Sequence, residues 1–90
     1  MNDGRGDTPN GATLFELAQL IREMFPRVAC DITRETVADD VSGWNSLQHV
    51  MLMIRIENYF NISIPAETGL SLQNVGELVD IIVKLRGRDG

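Results

Sequence analysis

The segment Ser46–Phe60, SLQHVMLMIRIENYF, carries apolar residues on two opposite sides of a predicted helix. At 100° per residue, one side collects Leu52, Met53, Ile56 and Phe60. The other side collects Leu47, Val50, Met51 and Ile54. A helix that is apolar nearly all round is either buried on both sides or uses its second face to bind something. This segment therefore constrains both the packing of the chain and its use.

The length of the chain leaves little protein to cover both sides of that helix. With 90 residues, the chain forms at most one domain and lies near the lower limit for a self-sufficient core. The acidic loop before the helix offers few apolar residues for a cover, namely Ile32, Val37 and Val41. Two interpretations stay open, a binding face on the second side or a loop folded over it.

Helical periodicity on both sides of this segment predicts an all-α fold. A first helix begins at Ala12 and is stopped by Pro26, and a long loop with one short turn follows. A short third helix begins at Pro65 and ends at Gly69, and a last helix runs from Asn74 to Leu85. The sequence thus predicts a four-helix bundle with three main helices. We expect one domain over residues 12–86, with flexible tails at residues 1–11 and 87–90.

The charge and the residue types of the chain argue against several classes of function. A net charge of −5 disfavours nucleic acid and favours basic protein partners. One cysteine and one histidine make no zinc set, and Asp39-Asp40 lacks the ligand spacing of a calcium loop. No apolar run is long enough for a membrane span or a signal segment, so we expect a cytoplasmic protein without a metal.

Ser46 stands at the start of the two-sided helix. Asn45 is a good N-cap and Gln48 follows it by three residues, so the Ser46 hydroxyl would project at a helix N-terminus. The field there favours a phosphate ester, although serine is also a common first-turn residue without a function. His49 falls on the core side and lacks an orienting partner, so we expect a structural histidine and no catalytic residues. We expect Trp44 to be a packing residue that anchors the loop to the helix start.

The arrangement around Ser46 resembles the acyl carrier protein family. The run GWNSL, followed by HVMLMIRIENYFNISIP and NVGELVDIIVKL, is similar to the family from about Leu14 to Leu85. The resemblance implies that Ser46 receives 4′-phosphopantetheine from a separate transferase through a phosphodiester, which makes the chain a phosphoprotein. It also implies a non-catalytic, discrete and monomeric carrier that holds its cargo as a thioester.

The resemblance further implies partner enzymes and a surface that meets them. The partners would be the transferase and the ligases or synthases that load and transfer acyl or aminoacyl groups in fatty-acid, polyketide or related lipid metabolism. The predicted partner-binding residues are Leu47, Val50, Met51, Ile54, Glu57 and Ile64. The family usually has Asp where this chain has Asn45, which keeps the cap but lacks the charge. The alternative is a helical protein–protein interaction module of the same fold that is never modified.

Overall fold

The computed structural model describes residues 9–87, and within this range the chain is helical and contains no strand. The elements are α1 (Pro9–Met24), a 3-10 turn (Ala38–Asp40), α2 (Ser46–Phe60), α3 (Ala66–Ser71) and α4 (Val75–Gly87). The predicted all-α fold, with three main helices, a short third helix and a long first loop, is confirmed. Residues 1–8 and 88–90 of the two predicted tails lie outside the described residues.

Helix α1 begins at Pro9, three residues before the predicted start at Ala12, so residues 9–11 belong to the helix instead of the tail. Proline suits the first helical position because its φ angle is already helical and its missing N–H is not needed there. These residues lack apolar periodicity, which is why the sequence pattern did not include them. The helix packs against α4 and α2, and it buries Leu17 and Ile21 completely.

The core is formed by one side of each long helix together with loop residues. Leu52, Ile56 and Phe60 are buried, as their positions on α2 predict, while Met53 is half-buried. The other buried apolar residues are Leu17, Leu20, Ile21, Phe25, Ile32, Val41, Ile64, Val75, Leu78, Val79 and Ile82. The first side of α2 is therefore core.

The long loop packs onto the start of α4 instead of covering the second side of α2. The N–H groups of Val75 and Gly76 donate to the carbonyl oxygens of Thr36 and Arg34, at 2.9 and 2.8 Å. A Cβ atom at Gly76 would lie 3.0 Å from the Arg34 oxygen, so this close approach favours glycine. Nη2 of Arg34 also donates to both carboxylate oxygens of Asp80, and this hydrogen bond raises the pKa of the guanidinium.

The loop residues that could have covered the second side of α2 lie elsewhere. Ile32 and Val41 are buried in the core, and Val37 is exposed. Leu47, Val50, Met51 and Ile54 remain between 45% and 67% exposed. Of the two interpretations of this side, the exposed face is the one found.

Helix α3 continues to Ser71, two residues beyond its predicted end at Gly69. Gly69 is buried, and a Cβ atom there would lie 3.5 Å from Cγ of Met53 and 3.8 Å from Cγ2 of Ile64. The glycine therefore lies where α3 approaches α2 and does not end the helix. Glu57 fixes the connection between the two helices, since its Oε2 accepts a hydrogen bond from the Ile64 N–H at 2.7 Å.

The N-terminus of α4 shows one half of a capping box. Oδ1 of Asn74 accepts from the Glu77 N–H at 2.8 Å, as expected of an N-cap. Oε1 of Glu77, however, accepts from the N–H of Gln73 instead of that of Asn74. The returning side chain thus satisfies a donor one residue before the cap.

Truncation of Phe60 tests whether the first side of α2 supports the fold. The ring is buried, with the Tyr59 ring edge-on to it and the Arg86 guanidinium 5.2 Å from its centroid. We expect Phe60→Ala to lower the free energy of unfolding by about 3–5 kcal/mol, measured by urea denaturation. Phe15→Ala, at an exposed position on α1, is the control. A loss below about 1 kcal/mol for Phe60→Ala would contradict this assignment of the core.

Candidate functional site

Ser46 is the first residue of α2, and it is exposed. Asn45 has an extended backbone and caps the helix, because its Oδ1 accepts a hydrogen bond from the Gln48 N–H at 2.9 Å. Gly43 turns the chain into this cap with a φ of 94°, a conformation that favours glycine. Within residues 9–87, the Ser46 hydroxyl makes no hydrogen bond, so it is free to react.

The electrostatic setting of Ser46 favours an attached phosphate. The first N–H groups of a helix have no partner within the helix, and together they carry about half a positive charge. Helix α2 has no acidic residue in its first turn that would oppose an anion there. A phosphodiester on the Ser46 oxygen would therefore lie in a favourable field.

Trp44 and His49 lie beside Ser46 and connect the loop to two helices. The Trp44 ring stacks on Phe25, with centroids 5.5 Å apart and an angle of 7° between the planes. Its Nε1–H donates to Nδ1 of His49 at 3.1 Å, and Nε2 of His49 lies 2.8 Å from the carbonyl oxygen of Gly69. The structure thus agrees with the expected structural roles of Trp44 and His49. His49 is not placed to act as a general base on Ser46, because both of its ring nitrogens are engaged in other hydrogen bonds.

An apolar groove of about 210 Å³ runs between α2 and α3. His49 lies on its wall, and Glu57 is a charged residue at its edge. The other lining residues are Val50, Met53, Ile54, Ile64, Pro65, Ala66, Gly69 and Leu70. The groove follows from Gly69 and from the small residues at the start of α3, because they keep side-chain volume out of the space beside α2.

The predicted partner-binding residues do not all share one environment. Leu47, Val50, Met51 and Ile54 lie exposed along α2, as expected of a docking face. Ile64, in contrast, is only 8% exposed and belongs to the core, because the hydrogen bond to Glu57 turns its segment inward. The same bond occupies Glu57, so this carboxylate is less available to a partner than its place on the helix indicated.

Leu70 is a surface residue that the sequence pattern did not single out. It is 72% exposed on α3 and lines the groove opposite α2. A large apolar residue in a short polar helix directly after Pro65 is the signal that would have indicated it. Leu70 extends the exposed apolar surface from α2 onto α3.

Charges around α2 are few and largely paired. Arg55 donates to the Glu23 carboxylate of α1 at 2.8 Å, in an exposed ion pair. The exposed Cys30 lies in the loop, with Sγ 3.6 Å from the Asp40 carbonyl oxygen. No group of three or more His, Cys, Asp or Glu side chains in the described part of the chain is placed to hold a metal ion. Among helices built from residues 9–87, none is both long and apolar enough to cross a bilayer.

Comparisons of the sequence and of the structure with known proteins both lead to one family. Acyl carrier proteins of two Porphyromonas gingivalis strains are each 38% identical to this chain over 56 residues, which is 62% of this chain and 72% of theirs. The solution NMR structure of a holo acyl carrier protein from Geobacter metallireducens superimposes with a TM-score of 0.77. That structure is 34% identical, and the match covers 86% of this chain and 88% of the other. No family model matches.

The similarity extends over most of the helical domain. The identity in sequence and the shared arrangement of helices both lead to acyl carrier proteins, which are carriers without catalytic activity. With an exposed serine on the capped end of its second helix, the chain belongs to the acyl carrier protein family.

Proposed function

We propose that Ser46 is the attachment point of 4′-phosphopantetheine and that the chain carries an acyl or aminoacyl group on this arm. The observation that supports the proposal best is the exposed Ser46 hydroxyl at the capped N-terminus of α2, in a chain of this family. When bound, the arm supplies a terminal thiol that holds the cargo as a thioester. The protein contributes the acceptor oxygen of Ser46 and the positive electrostatic field of the α2 N-terminus around it.

The attachment reaction needs coenzyme A and a separate transferase. The Ser46 oxygen attacks the phosphorus that bears the pantetheine, a new P–O bond forms, and the diphosphate bond breaks. Adenosine 3′,5′-bisphosphate leaves, and the hydroxyl proton passes to a base of the transferase. Asn45 holds the serine at the helix end during this step, because its side chain caps the Gln48 N–H.

The cargo and its partners would meet the chain on α2 and α3. A short acyl chain fits the apolar character of the groove between the two helices. Leu47, Val50, Met51 and Ile54 form the docking face for loading and transferring enzymes, and contact with this face buries exposed apolar surface. Fatty-acid, polyketide and related lipid biosynthesis are the settings in which such a carrier works. We propose a monomer that acts in the cytoplasm.

Replacement of the acceptor serine tests the attachment. Incubation with coenzyme A and a broad-specificity transferase should add one phosphopantetheine mass to the wild type and none to Ser46→Ala, as measured by intact mass. Ser63→Ala, at an exposed serine outside the site, is the matched control and should be modified like the wild type. Modification of Ser46→Ala would contradict the assignment. An unmodified wild type would favour the alternative, an interaction module of the same fold.

The residue before the serine tests the role of the missing charge. Asn45→Asp should leave the free energy of unfolding within about 0.5 kcal/mol, because the two residues cap helices almost equally well. The added carboxylate should raise the initial rate of modification by the broad-specificity transferase. Asn45→Ala removes the cap and should cost about 1 kcal/mol. An unchanged rate for Asn45→Asp would show that this charge is unimportant for the transferase.

A charge on the docking face tests whether the second side of α2 meets partners. We expect Ile54→Asp to melt within a few degrees of the wild type, because exposed substitutions usually change stability by about 0.5 kcal/mol or less. The variant should accept the arm at least partly but fail to exchange cargo with its cognate synthase. Phe15→Asp, which places the same change on an exposed part of α1, should retain exchange. Unfolding of Ile54→Asp would mean that this side is core.

A further inference from the structure

The imidazole of His49 stands between the groove and a second cavity. This second cavity, of about 60 Å³, lies among the long loop, α2 and the start of α4. His49 lines both spaces, whereas the buried residues Thr36, Val75 and Leu78 line the second one. The second cavity therefore borders the core, and His49 is shared between it and the groove.

Two hydrogen bonds hold this ring in place. The indole N–H of Trp44 can only donate, so Nδ1 of His49 must accept. The carbonyl oxygen of Gly69 can only accept, so Nε2 of His49 must carry the proton and donate. Both bonds can exist together only in the neutral Nε2–H tautomer. The Trp44 ring is itself stacked on Phe25, which limits movement of the whole group.

We propose that His49 is a specificity-determining residue that sets the longest acyl chain the groove accepts. The inference rests on the proposed carrier function and on the placement of the acyl chain between α2 and α3. Because hydrogen bonds hold the imidazole against the Gly69 carbonyl and Trp44, an acyl chain in the groove can extend only as far as the ring. Without it, the groove opens into the cavity bounded by Val75 and Leu78, and a longer chain can be buried.

The chain-length dependence of stability tests the proposal. Arms that carry straight-chain acyl groups of increasing length would be loaded onto Ser46 from the corresponding acyl-coenzyme A by a broad-specificity transferase. A chain buried only in the folded state raises the melting temperature, and this gain ends when further carbons no longer find space. We expect the limiting length to increase by about two or three methylene groups in His49→Ala, since removal of the half-buried ring leaves space of that order.

Two further variants separate the length limit from general stability. The side-chain amide in His49→Gln supplies one donor and one acceptor and should keep a limit near that of the wild type. Tyr59→Ala should lower the melting temperature without moving the limit, since Tyr59 lies on α2 outside the groove lining. If the gain in melting temperature ends at the same acyl chain length in His49→Ala as in the wild type, the proposal is overturned.

The outcomes also distinguish this proposal from the carrier function. If the loaded arm does not raise the melting temperature of the wild type at any acyl chain length, the proposed role of His49 is wrong and the carrier function still stands. Failure to load Ser46 would instead overturn the carrier function.

A second measurement does not depend on loading or on variants. The chain has one histidine and one tryptophan, so their ring-nitrogen NMR signals need no mutational assignment. We expect Nε2 of His49 to be protonated and Nδ1 to accept from the indole N–H. The opposite tautomer would overturn the proposal, because the ring would then lack the tether to Gly69.

Discussion

The stacked contact of Trp44 with Phe25 is the interaction on which the rest of the site depends. Phe25 follows directly on α1, and Trp44 precedes α2, so the stack fixes the loop at both of its ends. Through His49, the same indole is linked to the Gly69 carbonyl of α3. The stack of Trp44 on Phe25 thereby helps to fix the start of α2, the position of Ser46 and the distance between α2 and α3.

The surface of α2 differs in charge from the chain as a whole. The chain carries a net charge of −5, yet the two charged residues of α2 have partners, Arg55 in an ion pair with Glu23 and Glu57 in a hydrogen bond to Ile64. Acidic residues of the loop, such as Asp39, are exposed close to the start of the helix. In the proposed docking, this arrangement would separate two tasks, with long-range steering by the loop and residence time from apolar contact on the helix.

The sequence was a good guide where the determining contacts are local. The cap by Asn45 and the buried side of α2 with Leu52 and Ile56 follow from residues within one or two helical turns of each other. The local prediction of a helix end at Gly69 is wrong, because α3 continues to Ser71 and Gly69 is buried near Met53 of the neighbouring helix.

Ile64 shows the same limit in the candidate site. Its apolar side chain after a long helix suggested a docking residue, but the hydrogen bond from its N–H to Glu57, seven residues earlier, turns it into the core. The groove depends on a similar approach of α3 to α2. Neither can be derived from periodicity, because a pattern within one helix does not state how closely the next helix lies.

The hydrogen bonds between the loop and α4 couple two parts of the chain that are about forty residues apart. The N–H groups of Val75 and Gly76 donate hydrogen bonds to the carbonyl oxygens of Thr36 and Arg34. The first turn of α4 therefore finds its hydrogen-bond acceptors in a segment without regular structure of its own. The loop and the first residues of α4 stabilise each other, since both lose these hydrogen bonds when the loop opens. Local unfolding should therefore involve both segments together, and amide exchange at Val75 and Gly76 would report the opening of a loop about forty residues earlier in the chain.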